Sequence, residues 1–149
     1  MSSAPAQLVP PEIQIRRILD EAAAAIASRD IAAAVAQFAP EVFQYDVVGP
    51  LESRGVAACE ERTREWFGAF SGPIEFERRH VHIAAADDVA FAHCLNHVTA
   101  TQIHGAKLDM WWRSTTGFRR CKGRWLIVHE HNSIPFNPQT GQASLDLKG

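Results

Sequence analysis

Imidazoles dominate the groups able to move a proton near neutral pH. The chain has seven histidines: His80, His82, His93, His97, His104, His129 and His131. An unperturbed imidazole changes charge within the physiological range. In an extended segment, residues two or four apart share a face. His93 and His97 therefore share one with Phe91, Leu95 and Thr99. In a pocket they would serve as acid, base or hydrogen-bond donor. Elsewhere they would be satisfied by neighbouring strands or exposed on an outer sheet face. His80 with His82, and His129 with His131, form HxH pairs of the kind metal sites use. Such a site needs further ligands of suitable geometry. No spacing supplies them, so no metal is expected and the pairs read as interstrand packing.

A second group lies in segment 107–120. Period two puts Met110, Trp112, Ser114, Thr116 and Phe118 on one face, and Asp109, Trp111, Arg113 and Thr115 on the other. Arg113 would grip a carboxylate or phosphate if its face were inward. Otherwise it pairs with an acid on the sheet surface or at a subunit contact. Asp46 stands just before the Gly49-Pro50 break, where it either caps a turn or projects from a strand end. Three cysteines without CxxC spacing, an odd number, argue against a disulfide framework and for a reduced, cytoplasmic setting. Cys94 reads as buried and inert. Neither a glycine-rich phosphate loop nor a GxSxG elbow occurs.

The elements that must position these groups follow from periodicity. Residues 1–10 read as a flexible arm, 11–136 as one domain and 137–149 as a tail. A helix starts near Pro11, with Ile15, Leu19, Ala22 and Ile26 along one stripe. Asp30 is placed to cap a second helix over 31–38, with Pro40 as its stop. A strand is expected over 42–48 and a third helix over 56–70. Extended segments follow at 74–86, 89–101, 107–120 and 125–134, separated by Asp87-Asp88, His104-Gly105 and Lys122-Gly123. Helices segregated from a meander predict an α+β fold. Bent long strands would leave a hollow for a small molecule. The chain's 149 residues fit one domain, and 46% apolar content opposes disorder. A net charge of −2 leaves no basic footprint for nucleic acid or an anionic membrane. The apolar run 22–27, which no other exceeds, is too short to span a bilayer. The first ten residues show no secretory pattern.

Several stretches look familiar. Arg29-Asp30 through Phe38, Tyr45-Asp46-Val47-Val48-Gly49, and Arg54-Gly55 resemble the opening of ketosteroid isomerases. Trp112-Arg113-Ser114-Thr115-Thr116, Gly123-Arg124-Trp125 and the run from His129 to Phe136 resemble SnoaL-type proteins of the nuclear transport factor two superfamily. The end of that run is also similar to the association domain of calcium/calmodulin-dependent kinase. The resemblance spans nearly the whole chain, roughly Glu12 to Lys148. It implies a cone-shaped, curved antiparallel sheet wrapped around three N-terminal helices.

The resemblance also implies roles. Asp46 falls at the catalytic base of ketosteroid isomerases. There a carboxylate at the mouth of an apolar cavity removes a proton next to a carbonyl. The two oxyanion donors of those enzymes fall on Ala22 and on or beside Thr116, so one is missing and one weakened. Losing such a donor typically costs ~10²–10³ in rate, which argues against steroid isomerisation by the familiar route. The resemblance turns His93, Leu95 and His97 toward the cavity, with the two histidines as replacement donors. It turns Trp112, Thr116 and Phe118 there as well, and Tyr45 joins the expected substrate-binding set. Together these imply a cofactor-independent isomerase, lyase or cyclase acting on a compact apolar carbonyl or hydroxyl compound. The alternative is a non-catalytic ligand-binding or oligomerisation domain. Either would form a homodimer through the sheet face, where Trp111 gives a reason for pairing.

Overall fold

Pro10 precedes and Pro11 opens helix α1, Pro11–Ser28, in a computed structural model that describes residues 8–149. Residues 1–7 of the expected arm lie outside the described residues. Ile15, Ile18, Leu19 and Ala25 form the buried stripe of α1. Arg29 ends the helix with φ 55, in the left-handed region, and its N–H reaches the carbonyls of Ala25 and Ile26. Its guanidinium donates to the Phe70 carbonyl at 2.7 Å, tying the helix end to the sheet. Asp30 caps α2, Ile31–Val35, by accepting from the Ala33 N–H at 3.0 Å.

The second helix is shorter than expected. Phe38 and Pro40 belong to strand β1, Phe38–Tyr45. Pro40 is tolerated there because the register with the neighbouring strand shifts between Phe38 and Phe43. A two-residue strand, β2, Ser53–Arg54, precedes α3, Val56–Gly68. Gly55 supplies φ 82 at the start of α3 and donates its N–H to the Val42 carbonyl at 2.6 Å. The long strands are β3, Phe70–Ala85; β4, Val89–Gln102; β5, Lys107–Cys121; and β6, Arg124–Ser133. β3 begins at Phe70 and runs through Gly72-Pro73, earlier than the extended segment expected from residue 74.

The strands form one six-stranded sheet in the order β2-β1-β6-β5-β4-β3. It is curved and unclosed, with the helices packed against it. Neighbours pair antiparallel except β1 with β6, which run parallel. The α+β class is as expected. One core joins Ile15, Ile18 and Leu19 of α1 to Ala90, Ala92, Phe118, Trp125 and Ile127 of the sheet. A second joins Phe67, Phe70, Ile74 and Val98, with Trp66 and Trp112 against it.

Two bulges decide which side chains face the helices. On β3, Arg79 opposes Leu95 and His82 opposes His93, so His80 and Val81 together face Cys94 alone. His80 adopts φ 52 at that point. On β6, Ile127 opposes Phe118 and His129 opposes Gly117, leaving Val128 as the extra residue. An inserted residue flips every later side chain to the other face. Trp125 and Ile127 therefore point inward, and so do Glu130 and Asn132 beyond the bulge.

Candidate active site

The inner face and the helices enclose a cavity of about 370 Å³. Its apolar wall comes from Leu19, Ala22 and Ile26 of α1, Ala34 of α2 and Trp66 of α3. Its polar wall comes from the sheet. Glu130 sits in register with Thr116 on one side and Gln44 on the other. In the next row Ser114 opposes Asn132, and the Asn132 amide donates to the Asp46 carboxylate at 3.5 Å. Gln44, Asp46, Thr116, Glu130 and Asn132 all line the cavity. Arg62 of α3 and Arg78 of β3 line it too.

Asp46 is exposed at the mouth and also accepts the Val47 N–H at 2.7 Å. Glu130 lies deeper. Gln44 Nε2 donates to its carboxylate at 2.7 Å. By surface area Glu130 is only half-buried, because it fronts the cavity. Its electrostatic surroundings are nonetheless those of a core group. Burial pushes the carboxyl above its ordinary value of 4.5, outweighing the Arg78 guanidinium and the Gln44 hydrogen bond that pull it down; Asp46 adds to the rise. Cys59 lies in the core behind. Burial first, then Glu130 and Asp46, push its thiol up to about 11, which suits a packed hydrophobe and not a thiolate nucleophile.

Of the eight expected site residues, Asp46 and Thr116 line the cavity, as does Ala22 at the position of the missing oxyanion donor. Thr116 is buried at 4% exposure. Trp112 also faces inward, but it packs at 6.1 Å from Trp66 and 5.9 Å from Phe76 in the second core, beside the cavity. Phe118, at 1% exposure, is core.

His93, Leu95, His97 and Tyr45 require correction, because they point to the outer face. Residues directly opposed across a ladder point the same way. Ala90, Ala92 and Cys94 oppose the inward Phe118, Thr116 and Ser114, so the alternate residues of β4 face out. The size of the side chains gives the reason: Ala90 and Ala92 let α1 lie close to the sheet. His97 bridges Glu77 at 3.0 Å and Asp109 at 2.8 Å and stacks on Trp111 at 4.3 Å. Partial burial pulls its imidazolium down, but the hydrogen bonds to Glu77 and Asp109 outweigh this and raise it above 6.5. His93 stacks on His82 at 5.0 Å. Tyr45 packs edge-on against His129 and His131 on the same outer face. Among the described residues no three His, Cys, Asp or Glu side chains converge as metal ligands. No helix among them is long and apolar enough to cross a membrane.

Glu130, Gln44 and Arg78 escaped the sequence reading. Alternation from Ile74 and Phe76 places Arg78 on their face, a signal that was available. For Glu130 the signal misleads, since alternation from Trp125 and Ile127 points His129 and His131 inward and only the bulge reverses it.

Comparison with known proteins agrees with this architecture. The model of the SnoaL-like domain matches residues 15–137. An NTF2-like protein of unknown function from Pseudomonas putida KT2440 superposes with a TM-score of 0.84 at 32% identity, covering 93% of this chain and 96% of its own. A protein from Streptomyces avermitilis described as a candidate dehydratase of the NTF2-like family superposes at 0.71 with 15% identity, over 82% of this chain and 94% of its own. A candidate calcium/calmodulin-dependent protein kinase II association domain from Xanthomonas campestris gives 0.71 at 20% identity, over 89% and 91%. The last two speak to the fold alone. No protein of curated function matches.

Proposed function

The chain belongs to the SnoaL-like domain family, and from that premise we propose that it is an isomerase or lyase working without a cofactor on a compact, largely apolar carbonyl or hydroxyl compound. One observation carries the reading: Asp46 and Glu130 line one cavity in unlike surroundings, the first at its mouth and the second deep with its acidity weakened by burial. Paired carboxyl groups in contrasting environments divide into base and acid. Asp46 takes a proton from carbon next to the carbonyl. Glu130, held by Gln44, donates a hydrogen bond to the oxygen on which charge develops, and the Thr116 hydroxyl faces the same space. In an isomerisation Asp46 returns its proton to a second carbon. In an elimination the Glu130 proton passes to the departing hydroxyl, water leaves, and exchange with solvent restores both carboxyl groups. The outer-face histidines take no part.

The test is a thermal-shift screen of small carbonyl and hydroxyl compounds. Hits are then followed by NMR for solvent-deuterium exchange and double-bond movement. Asp46→Asn should bind the hits and lose the exchange. Equal exchange in the variant for every hit removes the proposal.

The outer face supports a second part of the proposal, a homodimer paired sheet to sheet. Phe91 is 51% exposed there and Tyr45 37%. Sedimentation should give a dimer for the wild type and a monomer for Phe91→Glu. A monomeric wild type contradicts it.

A further inference from the structure

Arg78 is out of balance with its surroundings. It projects from β3 into the cavity and its guanidinium lies over the Phe76 ring at 5.0 Å. Its Nε and Nη1 are both buried and neither has a hydrogen-bond partner among the described residues. Arg62, on α3, also lines the cavity. It pairs with Glu65, and its Nε is likewise buried without a partner among the described residues. Folded proteins rarely leave buried N–H groups without acceptors. Glu130 does not answer the need. Its carboxyl feels the Arg78 charge, but it accepts its hydrogen bond from Gln44 and makes none with Arg78.

We infer that Arg78 anchors a carboxylate of the ligand, so that the substrates of this cavity are organic acids with a compact apolar body. A planar guanidinium presenting adjacent N–H groups matches a carboxylate in a two-pronged grip. Stacking on Phe76 fixes the plane of that fork. Leu19, Ala22, Ile26 and Trp66 supply the apolar surroundings for the rest of the molecule. The ligand's carboxylate would supply the acceptors that the described residues do not give the guanidinium. This inference rests on the reading of the cavity as a small-molecule site, and it adds the substrate class.

The test compares matched probes by calorimetry: benzoate, phenylacetate and cinnamate against their three primary amides, at low ionic strength. Wild-type protein should bind the acids about tenfold or more tighter than the amides, as expected for charge-assisted hydrogen bonds in a desolvated site. Arg78→Met keeps the stem over Phe76 and should bind acid and amide alike. Arg78→Lys keeps the charge without the fork and should restore part of the preference. Asp46→Asn takes a negative charge out of the same cavity and should bind the acids at least as tightly as the wild type. Acids that bind no better than amides to the wild type, or as well to Arg78→Met as to the wild type, overturn the inference. Amides and acids that bind equally leave the cavity reading standing, whereas exchange undiminished in Asp46→Asn with acid selectivity intact removes only the catalytic proposal.

Discussion

On the outer face of the sheet, ionisable side chains answer one another. Glu77 and Asp109 hold His97 between them, Arg79 pairs with Glu77, and Lys148 reaches Asp109 at 3.4 Å. On the inner face they do not. Glu130 is held by an amide, and Arg78 has buried N–H groups with no acceptor among the described residues. Water would relieve an unmatched group on the outside at almost no cost. On the inside each unmatched polar group costs about 1–3 kcal/mol. Charge left open where it is expensive points to a ligand, and charge satisfied where it is cheap points to surface structure.

Packing gives the largest expected contrast between the faces. Phe118→Ala on the inner face should destabilise by about 3–5 kcal/mol, whereas Phe91→Ala on the outer face should stay within about 0.5 kcal/mol when unfolding of the monomeric state is followed in urea. Similar losses at both sites would erase the distinction.

The next contrast is in pH dependence. Folding raises the pKa of Glu130, so the native state binds its proton more tightly than the unfolded chain. The Glu130 contribution to stability is then complete below 4.5, the ordinary carboxyl value, and fades as pH rises through the raised native value. Glu130→Gln should flatten that fall in urea midpoints measured across the acid range. An unchanged slope would mean that the carboxyl is not buried as described.

The smallest effect belongs to His97. Its native value is raised above 6.5, so its stabilising contribution is complete below that value and fades as pH rises through the native one. Its partners are largely exposed, which keeps such pairs weak. His97→Gln should remove a shallow neutral-pH slope. A larger loss of stability than Phe118→Ala would contradict the ranking.

Much of the fold was legible in the chain because helices and turns write their signals locally. The α1 stripe, the Asp30 cap and the Asp87-Asp88 turn each need only a few neighbours. Period two likewise separated the two faces of β5, and the resemblance, not the spacing, turned the Thr116 face inward. What failed was long-range. Which face of β4 turns inward depends on its pairing with β5 and on the small residues beneath α1. The Val128 bulge has no side-chain signature, yet it turns Glu130 inward. Phe38 and Pro40 read as a helix end because the parallel pairing with β6 joins residues far apart in sequence.

Turnover of a single screened compound by paired variants bears most directly on where the chemistry resides. Asp46→Asn should lower the rate by about 10² or more, while His97→Gln and His93→Gln leave it as in the wild type. Full activity in Asp46→Asn alongside loss in either histidine variant would place the working groups on the other side of the sheet.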